Sequence, residues 1–151
     1  MNSNVNQLIL MRGLPGSGKS SWIKDKGYEI YTLCADTLRL MFSAPNPQIS
    51  QKDNSRVWKL LFEMLEERMK TGSLTVIDAL HLNWKSIKCY LPLCEKYQYL
   101  LKIVDFSDVP LENCLERNKV REDYKYVSEK VIIKMHNKIK SSDNNKIGKF
   151  F

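Results

Sequence analysis

The residues best suited to chemistry in this 151-residue chain lie between Gly13 and Ser20, where Gly-Leu-Pro-Gly-Ser-Gly-Lys-Ser fits the pattern G-x-x-x-x-G-K-[ST]. Glycines permit positive φ and close backbone approach, so successive N–H groups of such a loop can ring a phosphate. Gly13, Pro15, Gly16, Ser17, Gly18, Lys19 and Ser20 are the expected nucleotide contacts. Lys19 can reach the β- and γ-phosphates as a point charge, and Ser20 can offer its hydroxyl to Mg²⁺. A helix opening at Gly18 would add its N-terminal dipole. The pattern implies ATP or GTP with Mg²⁺. It does not say whether the γ-phosphoryl group goes to water or to a second substrate.

Transfer to a second substrate requires a base on the acceptor side and further cations near the phosphoryl group. Asp36 follows the second apolar run, where it can take a proton from an attacking hydroxyl or cap the helix beginning at Thr37. Spacing alone supports both roles equally. Arg39, one turn on, can hold a phosphate on the acceptor or form a surface ion pair. Asp78 ends the apolar run Leu-Thr-Val-Ile-Asp. It can order magnesium-bound water, orient an arginine or cap the strand end, and a crevice-facing strand end favours the functional roles. Arg117 and Arg121 flank Asn-Lys-Val. They can close over a nucleotide as a mobile basic segment, although by spacing alone they read as surface basicity.

These residues need strands that end at one crevice. Gln7–Arg12 is an apolar run before a glycine turn and reads as a buried strand, followed by a helix from about Gly18 to Gly27. Glu29–Cys34 is rich in β-formers and predicts a second strand, followed by a helix through Phe42. Ser43–Ser50 reads as a loop. Between Lys52 and Lys70, Val57, Leu60, Leu61, Met64, Leu65 and Met69 recur at helical spacing. Ser73–Ala79 and Tyr99–Phe106 predict two more strands, separated by a helix that Asn83 caps and that runs to about Lys96. Pro110 suits the first turn of a helix through Arg117, and Ser128 can cap a last helix, Glu129 to about Lys140. Residues 141–151 read as a loose tail beyond a domain spanning 1–140. The alternation predicts an α/β fold with a four- to five-stranded, mostly parallel sheet and helices on both faces.

Composition narrows the partners. No apolar run approaches the roughly 20 residues that span a bilayer, and the polar N-terminus has no cationic leader, so a cytoplasmic protein without a membrane partner is expected. Cys34, Cys89, Cys94 and Cys114 form no CxxC pair and read as free thiols, and His81 and His136 are too isolated to suggest a metal centre. The net charge of +7 fits a polyanionic partner, yet many of the lysines fall on expected helices, where a solvated face explains them as well. Trp58 and Trp84 read as packing residues, whereas Tyr124 and Tyr126 are open to base stacking.

Taken in order, Gly-Leu-Pro-Gly-Ser-Gly-Lys-Ser-Ser-Trp, Cys-Ala-Asp-Thr-Leu-Arg, Ile-Asp-Ala-Leu-His-Leu-Asn and Cys-Leu-Glu-Arg-Asn-Lys-Val-Arg resemble the kinase domain of the polynucleotide 5′-hydroxyl kinases of phage and bacterial nucleic-acid repair. The resemblance covers about Leu8 to Lys140, and its specific part is the D-x-x-R after the second strand together with R-N-x-x-R. It implies a three-layer P-loop NTPase fold, ATP and Mg²⁺, and a 5′-OH end of DNA or RNA as acceptor. It also implies roles for single residues. Lys19 and Ser20 would serve the ATP phosphates and Mg²⁺, and Asp36 would be the general base. Arg39 would bind an acceptor-strand phosphate, and Asp78 would support the acceptor side. Arg121 would contact the ATP phosphates with Arg117 in support. Family members often carry a further C-terminal strand, for which only Lys-Ile-Gly-Lys-Phe-Phe remains. Related kinases of the same fold act on small molecules, nucleosides or modified DNA bases, which is the second reading, and a non-kinase ATPase or switch is the third.

Overall fold

A computed structural model describes residues 6–42 and 54–151. The chain runs β1 (Gln7–Arg12), α1 (Lys19–Asp25), β2 (Thr32–Cys34), α2 (Ala35–Phe42), α3 (Asn54–Lys70), β3 (Thr75–Asp78), α4 (Trp84–Lys88), α5 (Leu91–Tyr97), β4 (Leu100–Asp105), α6 (Leu111–Lys119), α7 (Glu129–Lys140) and α8 (Asn144–Gly148). The four strands form one parallel sheet in the order β2-β3-β1-β4.

β1 is central, which explains its unbroken apolar run: both of its faces are covered. Leu8 and Leu10 pack with Leu61 and Leu65 of α3 and Ile87 of α4, whereas Ile9 and Met11 pack with Ile23 of α1 and Val76 of β3. A third cluster joins Leu14 of the phosphate loop to Cys114 of α6 and to Ile132 and Ile139 of α7. Helices therefore cover both faces in three layers, and the phosphate loop leaves β1 at the same sheet end at which β2 and β3 release Asp36 and Asp78. No helix among the described residues is long and apolar enough to cross a membrane.

Several expected elements are revised. Residues Glu29–Tyr31 form a 3₁₀ turn instead of the start of a strand. The Tyr28 carbonyl accepts both the Tyr31 N–H and the Thr32 hydroxyl, and the side chain of Ile30 is left outside the core. The helix expected from Asn83 to Lys96 is two helices. Asn83 caps α4, accepting from the Ser86 N–H at 3.0 Å, but the chain restarts at Leu91 because Pro92 at the second position of α5 has no N–H to continue the ladder. Pro110 stands just outside α6 as its N-cap, and α6 continues past Arg117 to Lys119. Ser128 occupies the N-cap position of α7, but its side chain makes no capping bond. The expected loop Ser43–Ser50 and the first residues of the Lys52–Lys70 helix lie outside the described residues.

The C-terminal segment is not loose. Ile147 of α8 is fully buried, the Phe150 ring stacks on Trp84 with centroids 6.0 Å apart, and the Ile103 N–H of β4 donates to the Phe150 carbonyl at 2.7 Å. Two apolar side chains three residues apart, with hydrogen bonds from Ile103 and Arg12, hold this segment on the core. Residues 144–148 are helical, so no fifth strand forms among the described residues.

Candidate functional site

The phosphate loop takes the conformation its glycines were expected to allow. Gly16 and Gly18 have φ of +79° and +107°, and Gly18 is the N-cap of α1. At Gly16 a Cβ would stand 2.7 Å from the Cys114 carbonyl oxygen, so α6 seals the loop from behind. Gly16→Ala must therefore leave the left-handed region or push α6 away, at a cost of about 1–2 kcal/mol from the backbone alone. The expected result is an ATP affinity lowered by about tenfold or more, read by calorimetric titration.

Lys19 crosses the loop. Its Nζ donates to the Gly13 and Leu14 carbonyl oxygens at 2.9 and 2.8 Å, and it is 8% exposed. Burial brings its pKa down to about 8, against the opposing pull of the Asp78 carboxylate. The loop also contains a buried donor without a protein partner, the Ser17 hydroxyl. A cradle closed to a Cβ, a cation at its centre and an orphaned hydroxyl suit a polyphosphate anion.

Ser20 lies beside Asp78 at the end of β3, where its hydroxyl favours the ionised carboxylate. Burial raises the pKa of Asp78, and Asp36 raises it further, while Lys19 and Arg121 oppose the shift. Lys19, Ser20, Asp36, Asp78 and Arg121 thus meet at one sheet end. The neighbouring strand ends, Cys34 and Asp78, are in register.

Asp36 does not precede α2 as a cap. The helix begins at Ala35, so Asp36 lies in its first turn. The Asp36 side chain is half exposed and pairs with Arg39 at 2.6 Å. Arg39 also donates to Asn54 Oδ1 at 2.6 Å, and its side chain is 10% exposed. Its Nε is buried with no partner. Arg39 reaches the cluster through Asp36.

Arg117 lies exposed against the phosphate loop, its Nη1 donating to the Gly16 carbonyl at 3.3 Å. Arg121 is half-buried beyond the end of α6, close enough to act on both Lys19 and Asp78. Between the two arginines stands Asn118, fully buried. Its amide donates to the Val127 carbonyl at 2.6 Å and accepts the Val127 N–H at 3.1 Å. This clamp ties off the segment that carries Arg121 and was not identified from sequence as a positioning residue. Trp58 and Trp84 pack against the core, Tyr126 is half exposed, and Lys125 lies over the Tyr124 ring at 5.5 Å.

Sequence reasoning also missed Arg12 and His81. Arg12, 1% exposed at the last position of β1, donates from Nε to the His81 carbonyl at 3.1 Å and from Nη1 to Asp105 and Ser107. Its Nη2 is shared among Asn144 Oδ1 at 2.9 Å, Ser142 Oγ and the Leu82 carbonyl. His81 has φ of +46° and is buried. Its Nδ1 lies against the Met11 carbonyl, and its Nε2 is 3.0 Å from the Tyr90 hydroxyl. Burial lowers its pKa to about 4, so it stays neutral near neutral pH. The one local signal was a charged residue closing an otherwise apolar central strand. No group of three or more His, Cys, Asp or Glu side chains among the described residues is arranged to hold a metal ion. A magnesium ion here would rely mainly on phosphate and water oxygens, as such ions do in kinase sites.

Residues 8–142 match a family described as an AAA domain. A curated relative from Autographa californica nuclear polyhedrosis virus, provisionally named a bifunctional polynucleotide kinase/RNA ligase, is 25% identical over 91% of this chain. The match spans 21% of that relative. A chain of the Pnkp1/Rnl/Hen1 RNA repair complex superposes with a TM-score of 0.76 at 21% identity, covering 92% of this chain and 45% of that one. A second structure of the Pnkp1/Rnl/Hen1 complex gives a TM-score of 0.63 at 22% identity, over 78% and 43%. This chain thus spans less than half the length of each of these proteins.

Proposed function

Because the chain belongs to the AAA-domain family of P-loop proteins, we propose that it transfers the γ-phosphoryl group of ATP to a 5′-hydroxyl end of DNA or RNA. The observation that carries this reading is the Asp36–Arg39 pair beside Lys19: a carboxylate able to take a proton, held by an arginine whose buried Nε lacks an acceptor. A hydroxyl flanked by a phosphate supplies what both groups need. The names of the viral relative and of the RNA repair complex support the same acceptor class.

The loop N–H groups and Lys19 hold the ATP phosphates. Asp36 removes the proton as the hydroxyl oxygen attacks in line, and Arg39 orients the acceptor through its neighbouring phosphate. Arg121, with Arg117 beside the loop, offsets the charge spreading over the transferring group. Ser20 and Asp78, hard oxygen donors that lie side by side at the end of β3, are the residues that would hold Mg²⁺. When bound with ATP, that ion neutralises charge on the phosphate oxygens.

The test is label transfer from γ-labelled ATP to a panel of 5′-OH DNA and RNA oligonucleotides, a nucleoside 3′-phosphate and a bare nucleoside. Label is expected on the phosphate-bearing acceptors. Arg39→Ala should lower transfer to them by about 10- to 100-fold more than it lowers transfer to the bare nucleoside, the difference being the worth of one charge-assisted contact. Equal transfer to the bare nucleoside would point to a small-molecule kinase. Rapid hydrolysis indifferent to every acceptor would point to an ATPase or switch, a reading that the AAA-domain family alone also accommodates.

A further inference from the structure

We infer that Arg12 is a positioning residue for the phosphate loop, and that the C-terminal turn at Ser142 and Asn144 completes its setting, so that nucleotide affinity depends on contacts far from the nucleotide. Four facts converge on this. First, Arg12 is the residue before Gly13, so any movement of its guanidinium is passed to the first residue of the loop. Second, the segment after Asp78 is strapped to the same strand end: the Gly13 N–H donates to the Leu80 carbonyl at 3.1 Å, Arg12 Nε to the His81 carbonyl at 3.1 Å, and His81 Nδ1 meets the Met11 carbonyl. Third, His81 adopts a left-handed conformation that a non-glycine residue rarely takes, and it aims consecutive carbonyls, Leu80 and His81, at Gly13 and Arg12. Fourth, the far side of the guanidinium is held by Asp105 at the end of β4, by Ser107 just after it, and by Ser142 and Asn144 before and within α8.

The guanidinium is planar, so its ends cannot be placed independently. Fixing Nη2 on Asn144 and Nη1 on Asp105 fixes where Nε meets His81, and with it the 80–82 strap that holds Gly13. The C-terminal turn is thereby linked to the phosphate loop through one buried side chain. The strap also continues directly into Asp78, so it bears on both ends of the crevice.

The experiment uses the full chain with Asn144→Leu, which removes the Oδ1 acceptor, and Asn144→Asp, which keeps it. Two quantities are read: the affinity for MgATP by calorimetry, and amide hydrogen exchange resolved at Gly13. Asn144→Leu should weaken MgATP binding by roughly tenfold, within the range by which residues outside a site modulate it. It should also speed exchange at Gly13 selectively, with the amides of Leu8 to Leu10 unchanged. Asn144→Asp should retain both properties of the natural chain. Ser142→Ala, a milder loss at the same guanidinium nitrogen, should shift both readings in the same direction. An Asn144→Leu protein with unchanged affinity and unchanged Gly13 exchange overturns the inference. So does one in which all amides of β1 speed up together, because that is a loss of global stability alone. If the natural chain binds no ATP, the proposed function fails, and the Gly13 exchange still decides the strap.

Discussion

Asp36→Asn is expected to lower kcat for phosphoryl transfer by about 10²- to 10⁴-fold, the usual contribution of a positioned general base, with ATP affinity within about twofold of the natural chain. The amide keeps the size and can still meet Arg39, but it cannot accept the hydroxyl proton. ATP affinity should survive because Asp36 touches neither the loop carbonyls nor Lys19 Nζ, which are held by Gly13 and Leu14. Single-turnover transfer with labelled ATP and a 5′-OH oligonucleotide, beside a calorimetric titration, separates the two effects. A variant with full kcat would remove Asp36 from the role of base. A loss of ATP binding of similar size would show that Asp36 acts through the organisation of the loop.

The second large effect is on stability. Arg12→Met is expected to destabilise the fold by about 3–5 kcal/mol, because removing one member of a buried ion pair leaves its partners uncompensated. Asp105 would keep the Ser107 N–H and hydroxyl. The His81 and Leu82 carbonyls and Asn144 Oδ1 would lose the donor that Arg12 supplies. For a chain of this size the melting temperature should fall by about 10 °C. Urea unfolding at constant m-value measures it, and a loss below about 1 kcal/mol would mean that water or rearrangement satisfies those groups. The double variant Arg12→Met/Asp105→Leu should recover part of the loss, since the second substitution removes the stranded charge.

The contrast between these two residues shows what could be read from sequence. The phosphate loop is a contiguous motif whose glycine requirements are local, so its geometry was legible before any fold was known. Asp36 and Asp78 were legible because strand ends in a parallel sheet share one crevice, and the strand pattern was strong in β1, β3 and β4. Arg12 could be seen only as the charged end of an apolar strand. Its partners lie 69 to 132 residues away in the chain, and no local pattern brings His81 and Asn144 together. Similar physics explains the errors. Ile30 and Tyr31 are β-formers, yet the turn closed by the Tyr28 carbonyl decides their conformation. Pro92 is visible in the sequence, but a cap at Asn83 and an end near Lys96 do not show that the chain restarts there. Ile147 and Phe150 are too few to suggest an element, yet together with the bonds from Arg12 and Ile103 they dock one.

The Asn118 clamp has a consequence for speed. By holding both polar groups of Val127, one amide side chain closes the segment that carries Arg121 into a loop with pinned ends. Most of the entropy of closing a loop is lost when its ends are joined, and that loss is taken here during folding. Little ordering is left for the moment a nucleotide arrives. If Arg121 contacts the ATP phosphates as proposed, capture of the nucleotide is expected to be set by diffusion more than by rearrangement of the chain.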